Sequence, residues 1–191
     1  MNGFYDLVLQ ARTYRRFDES QEVPLEALLR WVDCARLTPS AQNRQPLRYK
    51  ITNDPDGCER VFASLKWAAA LPTWPGPSEG ERPRAYITIC SHRANALTLC
   101  DVGIASQTIK LAAQNEGFGS CMFKNYNRAD LVQAIGLDTQ KYNSELVIAF
   151  GVPKEEVVVE PLAIDNTDYD YWRDSNAVHH VPKYLLNDIL L

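Results

Sequence analysis

No apolar run in this chain approaches the roughly 18–20 residues that a bilayer-crossing helix needs, and no two of its five cysteines fall into a Cys-x-x-Cys spacing. The first absence leaves no expected membrane span. Cys34, Cys58, Cys90, Cys100 and Cys121 cannot all be bridged, and three of them lie inside apolar segments. They read as free buried thiols in a reducing compartment, ahead of a disulfide or a metal site. Of the three histidines only His179 and His180 are neighbours, and His92 is remote, so metal-ligand spacing is missing too. There is also no excess of positive charge. Twenty Lys and Arg against 24 Asp and Glu give a formal charge of −4, which argues against non-specific nucleic-acid binding by counterion displacement. The basic residues near the N-terminus follow a short amphipathic stretch instead of preceding an apolar one. That is the wrong order for a secretory signal, and a cytoplasmic protein is expected. Internal repeats and low-complexity tracts are lacking as well.

What is present is the balance of an ordinary globular domain, 46% hydrophobic and 23% charged over 191 residues. A chain of this length buries roughly 70% of its unfolded surface, so one domain over residues 1–191 is expected. Residues 2–11 read as a helix with Asn2 as a cap and Phe4, Leu7 and Val8 on one face. A second helix starts at Pro24, carries Leu25, Leu28, Leu29, Val32 and Ala35 at helical spacing, and stops before Pro39. Leu47–Ile51 alternates like a half-buried strand, and residues 57–70 read as helical. A loop follows at 71–82, with three prolines and two glycines in its first ten residues. Ala85–Cys90 and Glu145–Phe150 read as strands, 97–116 as the longest helix, and 120–123 as a short strand. Asn127 caps a further helix that Gly136 ends. Residues 161–173 are acidic, aromatic and irregular, and a short helix closes the chain. On pattern alone, helices alternating with strands suggest a doubly wound parallel sheet. No dinucleotide fingerprint supports that arrangement, because the glycine pair Gly117-Phe-Gly119 follows a helix and not a strand.

Three separated segments carry residue types suited to a phosphorylated flavin. Arg12-Thr-Tyr-Arg15-Arg-Phe17 offers permanently charged forked donors and a hydroxyl for a phosphate; alone it also fits a solvated basic patch at a helix C-terminus. Thr38-Pro-Ser-Ala-Gln-Asn-Arg-Gln-Pro46 is dense in amides and hydroxyls that match ribityl hydroxyls and a pyrimidine edge, and equally an ordinary polar loop. Asp101-Val-Gly-Ile-Ala-Ser-Gln107, leading to Gly117-Phe-Gly-Ser-Cys121, carries small residues that let another helix come close, which plain core packing also explains.

In this order the three segments resemble the nitroreductase family. Its members show an Arg-Ser-x-Arg-x-Phe opening, here Arg12, Thr13, Arg15 and Phe17 with threonine in place of serine. Next comes Pro-Ser-Ala-x-Asn-x-Gln-Pro, here Pro39 to Pro46, with Leu47 where an aromatic residue often follows. Asp-x-Gly-x-Ala-x-Gln, here Asp101, Gly103, Ala105 and Gln107, leads to Gly-x-Gly-x-Cys at 117–121. The resemblance implies an α+β fold, a mixed sheet flanked by helices, in an intertwined homodimer with FMN at the interface. Carried over, Arg12, Thr13 and Arg15 hold the phosphate and the pyrimidine side of the flavin. Pro39, Ser40, Ala41 and Asn43 line it from the partner subunit. The backbone of Met122, Phe123 and Lys124 faces flavin N5, and Lys183 is a late basic residue for the phosphate.

The implied activity is an FMN-dependent oxidoreductase that takes electrons from NADH or NADPH and passes them, by a ping-pong scheme, to a nitroaromatic, a quinone or an activated alkene. The flavin performs the chemistry, so no protein side chain is expected as general acid or nucleophile. Segments 71–82 and 161–180 are expected to shape the acceptor pocket, with Trp67, Trp74, Tyr169, Tyr171 and Trp172 as pocket aromatics or as lid and dimer packing. Two alternatives stand beside this one. The first is a flavin-binding protein with little reductase activity, in flavin turnover or sensing. The second is an α/β module for another phosphorylated metabolite.

Overall fold

The strand β5 (Asn143–Pro153) is paired along both edges and organises the molecule. β3 (Ala85–Ser91) runs antiparallel to it on one side and is followed outward by β2 (Leu47–Thr52), also antiparallel. On the other side β5 pairs with β4 (Gly119–Phe123) and then with the two-residue β1 (Phe17–Asp18). The computed structural model describes residues 3–71, 73–92 and 95–191.

Every pairing in this five-stranded sheet is antiparallel, which overturns the doubly wound parallel arrangement that the alternation of elements suggested. The helices between β2 and β3 and between β4 and β5 each join antiparallel neighbours, whereas the helix after β3 carries the chain across to β4 on the other edge of β5. A separate small sheet pairs β6 (Val157–Leu162) parallel with β8 (His179–Tyr184), with β7 (Trp172–Arg173) antiparallel to β8. The fold is therefore the mixed α+β architecture expected from the resemblance.

Helices cover both faces of the main sheet. On one face α2 (Leu25–Arg36) and the 20-residue α4 (Ala96–Asn115) bury Leu28, Trp31, Val102, Ala105 and Ile109 against Ile87, Ile89, Ile148 and Phe150. Trp31 stacks at tilted angles on Phe118 and Phe150, with centroids 5.4 and 5.0 Å away. On the other face α3 (Pro55–Ser64) and α5 (Arg128–Ile135) bury Val61, Leu131 and Ile135 against Tyr86, Val147 and Ala149. The period-2 alternation of β3 and β5 divides their side chains between the two layers.

Local signals placed most helix ends. Asn127 Oδ1 accepts from the Ala129 and Asp130 amides, and Gly136 closes α5 in the left-handed conformation at φ +61°. Other details differ from expectation. In α2 the buried positions are Ala27, Leu28, Trp31 and Ala35, while Leu25 and Leu29 face outward. Helix α1 (Phe4–Gln10) buries none of its residues, and Asn2, the expected cap, lies outside the described residues. The helix expected over 57–70 starts at Pro55, capped by Asp54, and ends at Ser64. The closing helix is absent. Residues 179–184 form strand β8, and only a 3-10 turn, Leu186–Asp188, follows. The leucines of that tail are exposed, so no burial offsets the cost of nucleating a helix.

Candidate functional site

The basic segment after α1 is held in an extended path beside β4. Thr13 bridges Ser120 in parallel fashion, and the Tyr14 amide donates to the Ser120 carbonyl at 3.0 Å. This close approach explains Gly119: a Cβ there would stand 2.8 Å from both the Tyr14 ring and Pro153. Below the segment lies Glu155, whose side chain is completely buried. It accepts from the backbone amides of Arg15 and Arg16 and pairs with Arg173 Nη2 at 2.8 Å. One carboxylate thus orients two peptide groups and a guanidinium.

The segment opens onto a cavity of about 330 Å³, lined by Arg12, Thr13, Arg15, Gln107, Lys110, Tyr171, His179 and Lys183, with Ala11 and Val181. Four cationic side chains face it and no carboxylate does. Arg12 Nη2 donates to the Val8 carbonyl at 2.6 Å, but its Nε is buried without a partner. Arg15 is 8% exposed, with Nη1 2.9 Å from His179 Nε2 and its guanidinium 4.2 Å over the Tyr171 ring. Burial, and then the neighbouring Arg15 and Arg173 charges, push the His179 imidazole down to about 4, so it is neutral near pH 7. Lys110 is 6% exposed, and burial together with Arg12, Arg15 and Lys183 lowers its ammonium below the usual lysine range.

A second cavity, about 150 Å³, runs on from the first along β4. Arg15 and Tyr171 line both. Its other walls are Lys66, Ala68, Ala69, and the stretch Cys121, Met122, Phe123, Lys124 and Asn125. Lys124 Nζ is turned aside, donating to the Glu145 carbonyl at 2.6 Å, so this residue presents backbone and not charge to the cavity. Cys121 is buried, and burial pushes its thiol up to about 12.

The Pro39–Gln45 loop lies elsewhere. Pro39 and Ser40 line a third cavity with Thr38, Gln45, Tyr49 and Asp101. Asp101, buried near the start of α4, accepts from Ser40 Oγ at 2.7 Å and from the Ala41 amide at 3.1 Å. Gln42, Asn43 and Gln45 all have positive φ, near +50°, a conformation that costs non-glycine residues of order 1–3 kcal/mol each and persists only when the surroundings impose it. The Asp101 bonds anchor Ser40 and Ala41 at the start of that stretch, and the Gln45 amide donates back to Ser40 Oγ at 2.9 Å at its end. Asp101 and Lys110 are nine residues apart on one helix, about 13 Å along its axis. Within one chain, therefore, Arg12, Thr13, Arg15 and Lys183 come together, Met122–Lys124 adjoin them, and Pro39, Ser40, Ala41 and Asn43 do not.

Sequence reasoning passed over Lys110, His179 and Glu155. Lys110 had a readable signal, a cation beside the core positions Ile109 and Ala113 of an apolar helix. The two others had none, since their partners are far away in sequence. Among the expected pocket aromatics, Tyr171 lines both cavities, whereas Tyr169 is exposed and Trp172 stacks flat on His180 at 4.0 Å. Trp67 packs edge-on against Trp74 and Phe123. Among the described residues all five cysteines are free, but Cys34 and Cys100 are exposed and only Cys58, Cys90 and Cys121 are buried as expected; no cluster of His, Cys, Asp or Glu there could hold a metal. No described helix is long and apolar enough to cross a membrane.

The carboxylate-free cationic cleft thus lies beside β4 in a three-layer α+β fold, and the fold class is matched among known proteins. The profile of the nitroreductase family matches residues 8–152, and the chain belongs to that family. YdgI of Bacillus subtilis (strain 168), assigned as an NAD(P)H nitroreductase, is 21% identical over 190 residues, covering 81% of this chain and 90% of that protein. A Desulfovibrio desulfuricans protein assigned as a nitroreductase, solved in complex with FMN, superposes with a TM-score of 0.67 at 23% identity, over 81% of this chain and 88% of that one. The FMN-dependent nitroreductase of Clostridium difficile R20291 gives 0.64 at 20% identity, over 80% and 89%.

Proposed function

We propose that this protein is an NAD(P)H-dependent flavin oxidoreductase that holds FMN in the two joined cavities and passes electrons to a small acceptor. The single observation that carries this reading is the pocket where Arg12, Arg15, Lys110 and Lys183 converge without a carboxylate. Four cations in one cavity repel each other unless an anion joins them, and a phosphate monoester supplies two negative charges. The buried, unpartnered Arg12 Nε is a donor in want of an acceptor. The residues present therefore fit FMN.

In this reading Arg12, Thr13 and Lys183 hold the phosphate. The second cavity takes the ring system, with the backbone of Met122, Phe123 and Lys124 along it. Arg15 lines both cavities, so its charge stands between the phosphate and the pyrimidine end, where it stabilises negative charge that develops on reduction. When bound, FMN supplies hydride acceptance from a nicotinamide and delivery to an acceptor. The protein binds and orients it and contributes no nucleophile. A nitroaromatic, a quinone or an activated alkene that takes the nicotinamide's place in turn suits a ping-pong scheme.

Pro39, Ser40, Ala41 and Asn43 complete the site from a partner subunit in this reading. Two features support a homodimer. The loop is held in a strained shape and does not line the cationic cavity of its own chain, and α1 and α4 expose Phe4, Tyr5, Leu9, Leu97, Leu99 and Ile104.

The deciding experiment is a visible spectrum of the purified protein, with flavin bands expected near roughly 370 and 450 nm and about one FMN per chain. Colourless protein that takes up no added FMN overturns the reading. Yellow protein that leaves NADH and NADPH unoxidised restricts it to flavin binding.

A further inference from the structure

We propose that Lys110 is the element by which this site selects a phosphorylated flavin over its unphosphorylated form, its ammonium being the buried charge that a phosphomonoester dianion neutralises. The inference rests on the FMN reading above and adds a residue to it.

Lys110 lies in the middle of α4, 6% exposed, flanked by the core residues Ile109 and Ala113. Lysine is among the residues least often buried, and a buried ammonium ordinarily has a carboxylate or several carbonyls around it. Here it has neither: among the described residues no ion pair or hydrogen bond reaches its Nζ, and its cavity contains no acidic side chain. The Cys121 thiol supplies no counterion, because burial pushes it up to about 12 and it stays neutral. The buried carboxylate of Glu155 already serves the Arg15 and Arg16 amides and Arg173. Arg12, Arg15 and Lys183 add three more positive charges to the same cavity.

Such an arrangement is unfavourable for the protein by itself. A structural lysine would improve stability through its stem or a partner, whereas this one is desolvated and repelled. Its ammonium becomes favourable only when an anion enters, and being buried, it acts at short range and low dielectric. Lys183 is exposed, where attraction is screened. Lys110, with Arg15 the most buried of the four cations, is thus placed to discriminate between a ligand with a phosphate and one without.

The test compares Lys110→Met and Lys110→Gln with the wild type, each stripped of flavin and titrated with FMN and with riboflavin by flavin fluorescence. Melting temperatures are recorded with and without ligand, and with inorganic phosphate. Both variants are expected to lose about ten- to a hundred-fold in FMN affinity, keep wild-type riboflavin affinity, and lose the stabilisation by inorganic phosphate. Without ligand they should melt at or above the wild-type temperature, because a repelled buried charge has gone; a merely structural lysine gives the opposite sign. A variant that melts lower without ligand, or that keeps the wild-type preference for FMN over riboflavin, overturns the proposal while leaving the FMN reading intact. A wild type that binds the two flavins equally removes the phosphate site, and this inference with it.

Discussion

Arg15 Nη1 and His179 Nε2 stand 2.9 Å apart although 164 residues separate them in the chain. A guanidinium has only donors, so Nε2 must be the unprotonated, accepting nitrogen, and the proton sits on Nδ1. The imidazole is fully buried, and Tyr171 packs against both partners. The β8 strand thereby fixes the position of a charge that the N-terminal segment brings to the cleft.

This pair predicts a pH effect on stability. The His179 pKa falls from 6.5 to about 4 in the folded protein, by burial first and then by Arg15, Arg173 and His180. Below pH 6.5 the unfolded chain binds a proton that the native protein refuses until about 4. The contribution is fully present above 6.5 and is lost progressively as pH falls to 4, a total of roughly 3 kcal/mol. Denaturant unfolding of the wild type and His179→Gln at pH 7, 5.5 and 4.5 should show the wild type declining more steeply. Parallel declines would remove His179 as the cause.

Glu155→Gln should destabilise the protein by about 3 kcal/mol, because it leaves Arg173 unpaired beside a buried partner. The double variant Glu155→Gln with Arg173→Met should recover a large part of that loss, since both charges are then gone. A double-mutant cycle by urea unfolding measures the coupling, and strictly additive losses would contradict the pair's importance.

Arg12→Ala should weaken FMN binding by about ten- to a hundred-fold, as expected for a charge-assisted phosphate contact of roughly 1.5–3 kcal/mol. Arg84→Ala, outside this cleft, is the control and should bind like the wild type. Arg15→Ala should lose less affinity but lower the flavin reduction potential, which spectroelectrochemistry reads directly. Unchanged affinity and potential in both cleft variants would make the segment a solvated basic patch.

Light scattering should give twice the chain mass of 21.6 kDa. Ile104→Lys, on the outward face of α4, should shift the protein toward monomer and weaken FMN binding together, if the Pro39–Asn43 loop serves the partner's cleft. A stable monomer that keeps its flavin would refute the shared site.

Much of the fold was readable from the sequence. The periodicity and caps of α2, α4 and α5 placed them to within a few residues, because helix bonds close over four residues and a cap such as Asn127 acts on the next turn. The order of the three polar segments likewise pointed to the family to which the chain belongs. The β8 strand was missed because a parallel partner, β6, must already be in place before residues 179–184 gain anything by extending.

The sequence by itself thus determined helices α2, α4 and α5, the half-buried alternation of β2, the lack of a metal-ligand or Cys-x-x-Cys pattern, and the cationic character of the Arg12–Arg15 segment. Only the tertiary structure decided that the main sheet is antiparallel, that Lys110 and His179 join that segment, and that the Pro39–Asn43 loop is tied to Asp101 and does not line that cleft in its own chain. The reason is physical. Helix and turn preferences act over a few residues, whereas strand direction and the meeting of buried charges depend on which distant surfaces the hydrophobic core brings into contact.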